Sequence, residues 1–121
     1  MESFEILKIA ANALNEKKAK ELSAIKVDDL TVLCEFFLLC TATSSTQVRA
    51  LADEVEEKLE LSGVKPHHIE GKSTGWLVLD YGSVIVHIFG RNEREFYGLD
   101  KMWSDAEVVD LEKILVNTLG D

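Results

Sequence analysis

The sequence predicts a single α/β domain in which helices cover a mixed β-sheet. Two stripes of apolar residues at helical spacing, behind Ser3 and behind Ser44, supply the helices, and two β-rich runs flanking Tyr81-Gly82 supply the centre of the sheet. The length agrees, since 121 residues suffice for one domain with a substantial core and no repeat or linker divides them. With 46% hydrophobic and 29% charged residues and one proline, the composition is globular rather than disordered or fibrous.

In chain order, Phe4, Leu7, Ala11 and Leu14 follow Ser3, a good N-cap, and predict an amphipathic helix over 3–16 closed by Lys17, Lys18 and Lys20. β-Branched Ile25 and Val27 mark a strand over 22–27. Phe36-Phe37-Leu38-Leu39-Cys40-Thr41 marks a second, more buried strand, with Asp28-Asp29 as a turn between the two. Ser44 with Gln47 three residues on forms a capping-box signature, and Val48, Leu51, Ala52, Val55 and Leu59 make one stripe that stops at Gly63, a C′ glycine. Residues 63–75 are polar and hold Pro66, so they form a connection with a short edge strand over 67–70. The hairpin follows as Trp76–Asp80 and Val84–Phe89. A short helix is expected over 93–97, and Val108, Leu111, Leu115 and Leu119 have the spacing of a last helix over 107–119.

Taking Tyr81-Gly82 as a two-residue loop pairs Asp80 with Ser83, Val78 with Ile85 and Trp76 with His87. Leu77, Leu79, Val84, Val86 and Ile88 then share one aliphatic side suited to packing under helices. The other side carries Trp76, Val78, Asp80, Ser83, Ile85, His87 and Phe89, the makeup of an interface core in which aromatic anchors bury area and polar groups set register. A second covering helix would instead make Trp76 and Phe89 ordinary core and His87 the satisfied partner of Asp80. Segment 91–106 holds Phe96, Tyr97, Met102 and Trp103 in a polar context, which suits either a binding rim or a cap on the open end of the core.

Thirteen Lys and Arg against twenty-two Asp and Glu leave a formal charge of −9, a field that repels phosphate backbones and anionic lipid and suits a basic partner. Neither nucleic-acid binding nor membrane association is expected. Cys34 and Cys40 are too few for a disulfide framework and lack C-x-x-C spacing. No apolar run approaches a membrane span and the start is acidic rather than basic, so a cytoplasmic location is expected. Gly71-Lys72-Ser73 imitates the end of a P-loop, but Pro66 stands where its first glycine belongs and a strand opens where a helix is required. His67, His68 and His87 have no Cys or carboxylate at ligand spacing, so they read as exposed histidines and no metal is expected. Ser44-Ser45 lacks a nucleophile elbow, and capping accounts for Ser44. The run Asp53-Glu54-Val55-Glu56-Glu57-Lys58 is mostly the solvated side of a helix. No cofactor is expected.

Glu70-Gly71, Gly75-Trp76, Asp80-Tyr81-Gly82, Val86-His87-Ile88-Phe89 and Arg94-Glu95-Phe96-Tyr97, followed by Leu99, Trp103, Asp105 and Ala106, form a signature. With residues 41–44 and 47–53 it resembles that of the ribosomal silencing factors, or Iojap-like proteins, over nearly the whole chain. Ser83 stands where that family commonly has an acidic residue, and Ala42 where it often has glycine. The resemblance implies a nucleotidyltransferase-like topology, with residues 1–121 as one such domain. It also implies a noncatalytic translation repressor that binds the large ribosomal subunit through a basic protein, large-subunit ribosomal protein fourteen, and sterically blocks joining with the small subunit. The expected partner-binding residues are Trp76, Asp80, Tyr81, Ile85, His87, Phe89 and Tyr97. The acidity agrees, and residues 93–121 alone hold eight acids against Arg94, Lys101 and Lys113. A face exposing Trp76, Ile85 and Phe89 would also let the unbound protein pair with itself as a homodimer. The competing reading is a metal-dependent nucleotidyltransferase-like enzyme. Such chemistry needs closely spaced carboxylates after a glycine-serine turn; no D-x-D or D-x-E pair follows such a turn here, and Asp80 alone cannot hold two metals.

Overall fold

The computed structural model describes residues 1–71 and 74–116. Helix α1 (Ser3–Glu16) leads into strands β1 (Lys20–Lys26) and β2 (Phe36–Thr41), then helix α2 (Ser45–Leu61). Strands β3 (His68–Glu70), β4 (Trp76–Asp80) and β5 (Val84–Phe89) follow, then short helices α3 (Glu93–Tyr97) and α4 (Leu99–Met102), strand β6 (Glu107–Val108) and a 3-10 turn at Leu111–Lys113. The strands form one mixed sheet in the order β3-β4-β5-β2-β1-β6, in which β2 and β5 run parallel and the other neighbours antiparallel.

Central β2 is buried along its whole length, as its continuous apolar run requires. Helices α1 and α2 pack on one face, where Leu7, Leu14, Leu51, Val55 and Leu59 join Leu38, Leu77, Leu79, Val86 and Ile88 in one cluster. The opposite face carries a smaller cluster of Val27, Cys34, Phe37, Leu39, Phe89 and Leu99, with Trp76, Ile85 and Trp103 packed at its border. The aliphatic and mixed sides of the hairpin therefore separate as alternation predicts.

Helix α2 is bounded by the signals its sequence carries. Ser44 Oγ accepts from Gln47 N–H at 3.1 Å, while Gln47 Oε1 accepts from Thr43 N–H at 2.6 Å, one residue ahead of the expected cap. At its end Val64 N–H donates to Leu59 O and Gly63 N–H to Glu60 O, a Schellman closure that needs the left-handed φ of +81° at Gly63. Helix α1 closes by the same pair of bonds, Ala19 to Leu14 and Lys18 to Asn15, with Lys18 holding φ +62° in place of a glycine.

Several boundaries differ from the sequence expectation. Ser3 is the first helical residue rather than the cap; its Oγ donates to Glu35 Oε1 instead. The hairpin loop is Gly82-Ser83, closed by Tyr81 N–H to Val84 O at 2.9 Å, so the pairs are Asp80 with Ile85, Val78 with His87 and Trp76 with Phe89. Two contacts move the turn: Asp80 Oδ1 accepts from Gly82 N–H, and Ser83 O accepts from both Glu35 and Phe36 N–H. The expected last helix over 107–119 does not form over 107–116. There Glu107 and Val108 extend the sheet by pairing with Lys26 and Ile25, and Asp110 caps the 3-10 turn. Leu119 lies outside the described residues.

Candidate partner-binding face

The mixed face of the hairpin is half covered. Helices α3 and α4 lie on this side, where Leu99 joins Phe37, Leu39 and Phe89 in one cluster, and Gly98, at φ +61°, turns the chain between them. Arg94 fastens this cover. Its guanidinium donates to both carboxylate oxygens of Asp100 at 2.7 and 2.9 Å, to Glu21 O at 2.9 Å, and to Thr41 Oγ1 and Ser23 Oγ at 3.2 Å, and it sits 5.9 Å above the Phe89 ring. Hydrogen bonding from Arg94 holds the Asp100 carboxyl below the usual carboxylate range.

From the covered to the open half runs a connected set of rings. Trp103 meets Phe37 edge-on at 5.1 Å, Phe37 meets His87 edge-on at 4.8 Å, and Trp76 stacks on Phe89 at 5.2 Å. Tyr97 lies 4.6 Å from Trp76 and carries Phe96 edge-on at its outer side. Trp76 Nε1–H donates to His87 Nδ1 at 3.1 Å, so the indole's one polar atom is satisfied inward and its apolar surface is left to face out. His87 is only 6% exposed, and its Nε2 is buried without a hydrogen-bond partner among the described residues. Burial, then the charge of Arg94, lowers its pKa to about 4.

The seven residues expected to bind a partner fall into three groups. Trp76, Asp80 and Ile85 are half-buried and Tyr97 is exposed, so all four reach the surface of this face. His87 and Phe89, the latter fully buried, lie beneath them. Tyr81 packs in the cluster on the helix side, with its hydroxyl buried and unpartnered among the described residues. His87 is therefore neither an exposed histidine nor the partner of Asp80, whose carboxylate instead holds the turn. His67 and His68 are exposed as expected. Sequence reasoning missed Phe37 and Arg94. The only signal for Phe37 was its alternation within β2; Arg94 stood in the signature run Arg94-Glu95-Phe96-Tyr97 and is a cation in an acidic segment, but neither signal tied it to the site.

Among the described residues no three His, Cys, Asp or Glu side chains are grouped as metal ligands would be, and no helix is long and apolar enough to cross a membrane. What the face offers is an aromatic edge at one end of β4 and the Asp80 carboxylate at the other.

The family model described as "Ribosomal silencing factor during starvation" matches residues 1–119. A ribosomal silencing factor of Halalkalibacterium halodurans is 35% identical over 116 residues, spanning 95% of this chain and 99% of that protein. The chloroplastic protein Iojap of Zea mays is 34% identical over 101 residues, 77% of this chain and 44% of that protein. The crystal structure of a Chromobacterium violaceum protein, 34% identical, superposes with a TM-score of 0.83 over 86% of this chain and 88% of that one.

Proposed function

The chain belongs to the ribosomal silencing factor family, whose members are ribosome-associated regulators of translation, and from that premise we propose that it docks on the large ribosomal subunit and blocks joining of the small one. The docking partner is a basic protein, large-subunit ribosomal protein fourteen, at the surface where the subunits meet. The single observation that carries this reading is the aromatic edge of Trp76 and Tyr97, with Trp76 held by buried His87 and Phe89, on the same face of the sheet as Asp80 at the other end of β4. In the complex Trp76, Ile85 and Tyr97 bury area against the partner and Asp80 meets one of its cations, while His87 and Phe89 hold the tryptophan from below and Tyr81 holds the turn from the other side.

Blocking is steric and needs no cofactor, metal or turnover. A net charge of −9 favours a basic protein and disfavours the surrounding RNA, which orients the approach. The protein acts in the compartment that holds its ribosomes, as the one domain of residues 1–121. When unbound it pairs with itself through the same face, so self-pairing competes with docking.

The test is sedimentation with separated subunits and translation in a purified system. Purified protein should cosediment with large subunits, and it should inhibit translation when added before the subunits join but not after. Equal binding to small subunits would remove the mechanism.

A further inference from the structure

Residues 28–35, between β1 and β2, form a loop fastened at both ends that turns three aliphatic side chains to water. Val27 and Cys34 anchor it in the cluster beneath the mixed face. Val27 N–H donates to Glu35 O at 2.8 Å and closes the neck, while Val27 O accepts from Leu30 and Thr31 N–H at 2.9 and 3.0 Å. Thr31 Oγ1 accepts from Leu33 N–H at 3.2 Å, and Glu35 and Phe36 N–H both donate to Ser83 O, which ties the loop to the hairpin turn. On this fixed backbone Leu30 is 51% exposed, Leu33 79% and Val32 fully. A mobile loop would let such side chains collapse on one another, but here the bonding holds them out, as at surfaces that are covered in a working assembly.

Charge and position identify what covers them. The shallow groove between loop and turn is lined by Val32, Leu33, Cys34, Gly82 and Ser83, with the carboxylates of Asp28 and Glu35; Lys26 pairs with Asp28 at 2.7 Å, whereas Glu35, which accepts from Ser3 Oγ, has no ion pair among the described residues. Asp80 of the docking face accepts from Gly82 N–H of this groove, and Ile85 is the strand partner of Asp80. We propose that residues 30–33 are a second contact of that face, an apolar step rimmed by carboxylates that receives a Lys- or Arg-bearing segment of the same basic large-subunit protein. The inference rests on the docking proposed above and extends it to residues outside the expected binding set.

The experiment titrates purified large subunits with wild-type protein, Trp76→Ala and the double variant Val32→Ser/Leu33→Ser, which removes the aliphatic step while keeping every charge. Both positions are exposed, so an unchanged melting temperature verifies the fold. The double variant should bind about tenfold more weakly than wild type, the scale of losing a small apolar contact at an interface. If it melts early, Val32→Ser alone takes its place and must show weakening of about threefold or more. Wild-type affinity in the folded variant, with Trp76→Ala impaired, overturns the second contact and leaves docking standing. Failure of wild-type protein to bind large subunits overturns docking itself and this inference with it. If the variant keeps its affinity for subunits but loses self-association in the ultracentrifuge, the loop serves a second copy of the chain and the inference is wrong.

Discussion

Trp76 Nε1–H donates to His87 Nδ1, so the imidazole can accept that bond only while it is neutral. In the native protein the ring stays neutral down to about pH 4, whereas in the unfolded chain it takes a proton near pH 6.5. Between those values the unfolded state binds more protons, so the contribution is complete above pH 6.5 and is lost as pH falls toward 4, by roughly 3 kcal/mol. Thermal melts of wild type and His87→Gln across this window measure it. The amide oxygen of the variant can accept the same bond without titrating, so its decline toward pH 4 should be shallower; identical profiles would show that burial does not hold the ring neutral. On the opposite face of the hairpin, in β4, Leu79→Ala should cost about 2–5 kcal/mol in urea melts, because its side chain is fully buried under the helices. Alternation assigned both residues to their faces, and a register shift of two positions leaves each side chain on its face. The depth of His87 and Phe89 was not legible, since alternation says nothing about how far a neighbouring segment reaches over a strand.

At the scale of elements, the cover made by α3 and α4 decides what the face presents. Neither helix has enough residues to be stable alone, so their position depends on tertiary bonds, most of them from Arg94. Arg94→Ala should lower stability by about 1.5–3 kcal/mol and weaken docking, because Tyr97 is no longer held against Trp76. Hydrogen exchange should accelerate far more over 93–102 than in β2; equal acceleration in both would make Arg94 a support of the whole core instead. The long elements were plain in the sequence because stripe, cap and closing glycine agreed, as at Ser44, Leu51 and Gly63. The segment after 106 was not. Val108, Leu111 and Leu115 have helical spacing, but the open edge of β1 offers Ile25 and Lys26 as ladder partners, and pairing there outcompetes a short helix of weak propensity.

At the scale of the molecule, one face of the sheet is closed by two long helices and the other is left partly open beside a fixed aromatic edge. The family signature made this division meaningful before the fold was known, since its most specific residues cluster in the hairpin and the cover rather than in α1 or α2. The closed face explains stability, and the open one explains why an acidic protein of this size carries half-exposed Trp76 and exposed Phe96 and Tyr97 at all. The most direct test is a binding titration of wild type and Trp76→Ala against separated large and small subunits, with thermal melts of both proteins alongside. Wild type should bind large subunits alone, and Trp76→Ala should lose about 2 kcal/mol or more of that binding, roughly thirtyfold, while remaining folded at the assay temperature. Binding to both subunits alike, or a folded Trp76→Ala that binds large subunits as wild type does, would contradict docking through this face.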